Sequence, residues 1–201
     1  MNYYFFLDQD WHMFKKVFSL LLALLILGVV VYALGPRVEF NSINVPLDSK
    51  WLSTPLIEMD SLIEVREALV IDMKPDNEAR IIWHDSIGVS TGISVVYLHG
   101  FSASQEEGDP IHREVAKRYE ANLYLSRLHD HGRTDSMSFK DITPQDLIDS
   151  ASEAIDIGSR LGDTLVVISC STGGTLSAYL ASIRDDICLL YTSPSPRDVE
   201  E

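Results

Sequence analysis

The chain has 201 residues, of which 46% are hydrophobic and 23% charged, and this balance excludes a disordered, collagen-like or coiled-coil protein. A formal net charge of −14 at pH 7 argues against nucleic-acid binding, because that affinity depends on Lys and Arg neutralising phosphates. The two cysteines, Cys170 and Cys188, are too few for a disulfide framework and match no metal-ligand spacing.

An uncharged apolar run, Val17–Leu34, comes first and predicts a transmembrane helix. As a helix at about 1.5 Å per residue it spans roughly 27 Å, close to the thickness of the bilayer's hydrocarbon core. Lys15 and Lys16 precede it, which favours residues 1–16 in the cytoplasm and the rest of the chain outside it, on the periplasmic side in a bacterium. A cleaved signal peptide and a buried core helix are the alternatives.

Residues 35–78 have the composition of a linker with a short helix. The first part is polar and contains two prolines, which is typical of a connector. Within 51–70, four apolar residues recur at helical spacing and predict an amphipathic helix. They are Leu56, Met59, Leu62 and Ile63.

Strands and helices alternate from residue 79 onward. Apolar runs predict strands over 79–84, 93–98, 121–125 and 164–168. Helices are predicted to begin at Asp109-Pro110, at Thr143-Pro144 with a capping box completed by Asp146, and at Thr172. The first of these should bury Ile111, Val115, Ala116 and Tyr119. The alternation predicts the α/β class, with a doubly wound, mostly parallel sheet covered on both faces.

The segment Ser169–Gly174 (SCSTGG) directly follows the last predicted strand and precedes a helix. In this context a serine can occupy a sharp strand-to-helix turn that lifts its hydroxyl above the sheet. The residues two positions before and after it are then crowded and must be small, as Ser169 and Gly173 are. Ser171 is therefore predicted to be a nucleophile, and simple capping of the helix is the alternative.

A second motif, His99-Gly100-Phe101, directly follows the predicted strand 93–98. An oxyanion hole needs two backbone N–H groups aimed at one point. Thr172, directly after the nucleophile, would supply one N–H, and Phe101 would supply the other. The residues expected to support these loops are His99, Gly100 and Gly173.

A third motif, His129-Asp130-His131, follows the strand 121–125 and has the residue types of a metal site. No further histidine lies downstream to complete such a site, so we expect no metal and no other cofactor. Glu106 and Glu107, after the second motif, belong either to a solvated loop or to the substrate entrance.

In order and spacing, these motifs resemble those of the α/β-hydrolase superfamily over roughly residues 79–187. The strings HGFSAS, ANLYLSRLHDHGR and SCSTGG are similar to a membrane-anchored bacterial set of lipase/esterase-type serine hydrolases. The resemblance implies that Ser171 is the nucleophile and that the Phe101 and Thr172 N–H groups form the oxyanion hole. It also implies that the substrate is a small-molecule or lipid-like ester or thioester, cleaved through an acyl-enzyme.

The end of the chain, Cys188–Asp198 (CLLYTSPSPRD), resembles one translated frame of a sequencing adapter. We therefore expect residues 188–201 to be non-native and residues 79–187 to be the N-terminal part of a longer hydrolase domain. In this fold the triad order is Ser, Asp or Glu, then His, and no histidine follows Ser171 here. The base and the acid are expected in sequence that follows, and the chain as written is expected to be inactive.

Two other functions stay open at this point. The same fold hosts peptidase, acyltransferase and haloperoxidase chemistry, since fold does not fix function. An alternative from another class is a non-catalytic, membrane-tethered binding protein with a degenerate hydrolase fold.

Overall fold

The computed structural model describes residues 3–35, 43–45, 49–135 and 137–192. The rest of the predicted linker and most of the adapter-like tail lie outside the described residues. The chain divides into two compact units, Met1–Ser42 and Ile43–Glu201.

The described part of the first unit forms a helix, α1 (Tyr3–Leu34), which begins well before the predicted apolar run. The Gly35 N–H donates to the Val31 carbonyl at 2.8 Å at its end. The part Met13–Leu34 is long and apolar enough to cross a membrane, with a mean hydropathy of 2.9, and none of its most apolar window is buried. This exposure disfavours the alternative of a buried core helix.

The second unit is built on a five-stranded sheet. The strands are β1 (Arg80–Ile82), β2 (Thr91–Leu98), β3 (Asn122–Leu125), β4 (Gly162–Ser169) and β5 (Leu189–Thr192). Their order in the sheet is β1-β3-β2-β4-β5. β1 pairs antiparallel with β3, whereas the other neighbours pair in parallel. The mostly parallel sheet predicted from the apolar runs is confirmed.

Helices cover both faces of the sheet, as the alternation predicts. The helices are α2 (Lys50–Ser53), α3 (Leu56–Ala68), α4 (Ile111–Arg118), α5 (Pro144–Leu161) and α6 (Ser171–Ala181), with a short 3-10 helix at Gln105–Gly108. On one face a core joins Val96 and Val167 of the sheet to helices α2, α3, α5 and α6. On the other face Val95 and Leu123 pack with Ala116 of α4.

Helices α2 and α3, which lie in the predicted linker and short helix over 35–78, belong to the same compact unit as the sheet. Trp51, Met59 and Ile63 are each at most 1% exposed and lie in the core on the α5 side. Leu62, predicted for the same face of α3, is 43% exposed. Met59 and Ile63 are four residues apart, so they lie on the same face of α3, and this face points to the core. Leu62 lies to one side of it.

The buried face of α4 differs from the predicted one. Ile111 and Tyr119 are more than half exposed, whereas His112 and Ala116 are buried. His112 can be buried because its Nε2 lies 2.8 Å from the Gln105 carbonyl oxygen, and its ring packs edge-on against Tyr97.

Helix α5 begins at the predicted capping box. The Asp146 N–H donates to the Thr143 hydroxyl at 3.2 Å, and the Thr143 N–H donates to the Asp146 carboxylate at 2.9 Å. Gly158 lets the helix lie close to the sheet, because a Cβ at this position would lie 2.9 Å from Leu165 Cδ1.

Strand β5 falls within the adapter-like segment and pairs in parallel with β4, with Leu189 opposite Val166. Edge pairing needs only an extended run of apolar, strand-forming residues. A native segment and an adapter-derived segment would therefore both form this strand.

Candidate active site

Ser171 lies at the turn between β4 and α6 with a φ of 48°, in the left-handed region of the backbone map. A non-glycine residue is strained in this region, and such strain concentrates at functional sites. The residue is exposed. The N-cap of α6 is Cys170, so the capping alternative does not describe Ser171.

Crowding around this turn explains its small residues. A Cβ on Gly173 would lie 2.7 Å from the His99 carbonyl oxygen and would also clash with the Leu98 carbonyl. Ser169 is buried, and its hydroxyl lies 2.9 Å from that of Ser177 on α6. The two positions that flank Ser171 at a distance of two residues, Ser169 and Gly173, are thus both crowded and occupied by small residues.

The N-terminus of α6 has no side-chain cap, because Cys170 makes no capping hydrogen bond. The first N–H groups of a helix have no partner within it, and the helix dipole favours negative charge at this end. The Thr172 N–H is one of these groups. Burial and the neighbouring Glu107 carboxylate raise the pKa of the Cys170 thiol, which therefore stays protonated and is a poor nucleophile.

The His99–Phe101 loop lies beside the turn because β2 and β4 are neighbours, with Leu98 opposite Ser169. A Cβ on Gly100 would lie 3.3 Å from the Ser171 Cβ. Within the described part of the chain, the Phe101 N–H donates to no protein acceptor. The structure thus brings together Ser171, Thr172 and the loop that carries Phe101.

Buried His99 fixes the direction of the Phe101 N–H. Its Nε2 accepts the Leu128 N–H at 3.1 Å, so the proton resides on Nδ1, which lies 2.8 Å from the Gly100 carbonyl oxygen. Because the peptide is planar and trans, holding the Gly100 carbonyl holds the Phe101 N–H in the opposite direction. His99 therefore supports the loop through hydrogen bonds to its backbone.

The free energy of unfolding is expected to fall as the pH is lowered from about 6.5 to about 4, because burial lowers the pKa of His99 from 6.5 to about 4. Between these values the unfolded chain binds a proton that the folded state excludes, so stability rises with pH through this window. This lowering of the His99 pKa corresponds to a loss of about 3 kcal/mol in the free energy of unfolding across the window. Burial also lowers the pKa of His112 and His131, which adds to the dependence in the same direction.

Urea unfolding at a series of pH values checks this expectation. His99→Asn should flatten the dependence in part, because it removes the buried imidazole whose pKa is lowered. An equally steep dependence in His99→Asn would contradict the assignment.

His131, from the third motif, packs behind the same loop. It is buried, with its Nδ1 2.7 Å from the His129 carbonyl oxygen and its ring against Phe101 and Phe139. Asp130 pairs with Arg133 at 2.8 Å. Among the described residues, no group of three or more His, Cys, Asp or Glu side chains is arranged to hold a metal ion.

A buried ion pair between α3 and the loop after β3 supports that loop. Glu67 of α3 is buried and accepts hydrogen bonds from Arg127 Nε at 2.6 Å and from the Ala79 N–H at 3.0 Å. Burial opposes ionisation of Glu67, but the hydrogen bond and charge of Arg127 outweigh it and lower its pKa. Arg127 also donates to the His131 carbonyl at 3.3 Å. No local pattern signals this pair, because its members are 60 residues apart in the chain.

A polar cavity of about 400 Å³ begins one residue beyond Phe101. It is lined by Ser102 to Ser104 and by Gly132 to Asp135, together with Lys74 and Phe139. Ser171 is not part of its lining. The cavity offers room for a polar part of a ligand near the His99–Phe101 loop.

Neither a protein-family model nor a curated protein matches the chain. Among solved structures it is similar to one reported with LipS and LipT, two metagenome-derived lipolytic enzymes, at 20% identity and a TM-score of 0.51. The match covers 62% of this chain and 51% of that chain, so this chain spans about half the length of that structure. The likeness shows the fold, which is α/β-hydrolase-like.

Proposed function

We propose that this chain carries the nucleophile and the oxyanion hole of a serine hydrolase that cleaves a carboxylic ester or thioester. The observation that carries the proposal is Ser171, an exposed serine in a left-handed conformation at an uncapped helix N-terminus beside Gly100. The fold shared with a lipolytic enzyme supports the choice of ester chemistry.

In the proposed reaction the Ser171 hydroxyl oxygen attacks the carbonyl carbon while a general base takes its proton. The oxyanion that forms accepts hydrogen bonds from the Phe101 and Thr172 N–H groups, at the positive end of the α6 dipole. The leaving alcohol or thiol takes up the proton, and water then hydrolyses the acyl-enzyme.

We assign the base and its acidic partner to sequence beyond residue 187. His99 and His131 do not fit the role of base. Both are buried, both have a lowered pKa, and each has Nδ1 close to a backbone carbonyl. His99 Nε2 is further occupied by the Leu128 N–H.

We also propose that α1 anchors the protein in a membrane with its N-terminus in the cytoplasm and the hydrolase unit on the other side. Its apolar length and the preceding Lys15 and Lys16 support this orientation. After an alkaline wash, the full chain should stay in the membrane pellet, whereas a chain without residues 1–35 should be released. An N-terminal sequence that begins after residue 34 would show instead that the segment is a cleaved signal.

A panel of p-nitrophenyl esters, thioesters and peptide anilides, given to the full-length protein from its native gene, tests the reaction class. Hydrolysis of esters or thioesters with an initial burst of p-nitrophenol is the expected result, since a burst reports an acyl-enzyme. Cleavage of the anilides alone would favour a peptidase. Turnover of none of them, with no reaction towards a fluorophosphonate, would overturn the proposal and favour a binding protein.

A further inference from the structure

We infer that Glu107 is a positioning residue that holds the oxyanion loop in its working conformation. This inference rests on the proposed function, because the loop matters only if the Phe101 N–H binds an oxyanion. Nothing in the local sequence distinguishes Glu107 from the adjacent Glu106, and both read equally well as part of a solvated loop.

The carboxylate of Glu107 joins the oxyanion loop to the strand from which the loop departs. Its Oε2 accepts the Gly100 N–H at 2.6 Å and the Tyr97 hydroxyl at 3.3 Å. Tyr97 is only 2% exposed within β2, so this end of the contact is fixed by the core. A charged acceptor makes the hydrogen bond to Gly100 one of the stronger kind.

Both sides of Gly100 are therefore held. Glu107 accepts the Gly100 N–H, whereas His99 Nδ1 and the Ala103 N–H donate to the Gly100 carbonyl, at 2.8 Å and 3.3 Å. The Gly100 carbonyl and the Phe101 N–H belong to one planar peptide. Fixing Gly100 at both ends thus fixes the direction in which the proposed oxyanion donor points.

Gly100 is also confined between the carboxylate and the nucleophile. A Cβ built on Gly100 would lie 2.9 Å from Glu107 Oε1 and 3.3 Å from the Ser171 Cβ. Loss of the carboxylate would remove one of the contacts that hold Gly100 beside Ser171. A displacement of about 1 Å in a reacting group can cost on the order of a hundredfold in rate.

Glu106 provides the matched control. It has the same side chain at the neighbouring position and is also exposed. Within the described residues its carboxylate accepts no hydrogen bond, whereas its backbone takes part in the same 3-10 turn. A change at Glu106 therefore alters charge and composition but not the contact to Gly100.

Amide hydrogen exchange at Gly100, measured on the full chain, tests the contact without requiring activity. The Gly100 amide should be protected in the wild type, and Glu107→Ala should speed its exchange on the order of tenfold or more. Glu107→Gln, which keeps an acceptor oxygen, should retain part of the protection, and Glu106→Ala should change nothing. Unchanged exchange at Gly100 in Glu107→Ala, with the fold intact by circular dichroism, would overturn the inference.

Kinetics of the full-length enzyme test the consequence. Glu107→Ala should lower kcat on the order of tenfold to a hundredfold with KM nearly constant. The bound substrate carries no oxyanion, which develops only in the transition state and the tetrahedral intermediate. Glu107→Gln should recover most of kcat, and Glu106→Ala should match the wild type. If Glu107→Gln is as slow as Glu107→Ala, the negative charge rather than the hydrogen bond is responsible and the inference fails. A wild type without hydrolase activity would refute the proposed function, while the exchange result would still decide whether Glu107 holds the loop.

Discussion

Ser171→Ala is expected to lower kcat for ester hydrolysis by the full-length protein on the order of ten-thousandfold. In the proposed reaction this hydroxyl forms the acyl-enzyme, and alanine leaves nothing to attack the carbonyl carbon. KM should change little, since the proposed oxyanion donors at Phe101 and Thr172 belong to the backbone. Steady-state and burst kinetics with a p-nitrophenyl ester measure the effect, and the burst should disappear.

Ser182→Ala is the matched control for this change. Ser182 is exposed at the opposite end of α6, where its hydroxyl donates to the Tyr179 carbonyl. It should keep wild-type kinetics. A Ser171→Ala enzyme that retains a tenth or more of the wild-type kcat would rule out Ser171 as the nucleophile.

Gly173→Ala is expected to reduce the free energy of unfolding by about 3 kcal/mol or more. The added methyl group would meet the Leu98 and His99 carbonyls, which are backbone atoms at the end of the central strand β2. Relief would require α6 or the end of β2 to move, and Ser171 would move with them. Urea unfolding measures the loss, and activity should fall at the same time.

Gly92→Ala is the control for Gly173→Ala. Gly92 lies in β2, the strand whose end the methyl group of Gly173→Ala would meet. No atom lies within 4 Å of the position that its Cβ would take. This change should leave stability within about 1 kcal/mol of the wild type. Equal unfolding free energies for the two variants would show that the turn is not crowded.

The sheet and most of its helices were predictable because their signals are local. Buried parallel strands are continuous apolar runs. The capping box that marks the start of α5 is a motif of only four residues, 143–146. The small residues around Ser171 are local as well, since the turn itself imposes them. The left-handed conformation of Ser171 agrees with what the SCSTGG pattern suggests.

Features that depend on distant partners were not predictable. Whether α4 buries Ile111 or His112 depends on the Gln105 carbonyl and the Tyr97 ring, which only the folded chain brings near. The apolar pattern over 51–70 predicts a helix, but not that α2 and α3 join the core of the sheet unit, because much of that core, including α5, lies far along the chain. The sequence does not distinguish Glu107 from Glu106, because only the folded chain brings the Gly100 N–H to the Glu107 carboxylate.

Mapping the adduct of a fluorophosphonate probe by mass spectrometry, on the full-length protein from its native gene, tests the central claim most directly. We predict one phosphonylated residue, Ser171, and no adduct in Ser171→Ala. An adduct on Cys170 or on another serine, or ester hydrolysis without any adduct at Ser171, would contradict the assignment of Ser171 as the nucleophile.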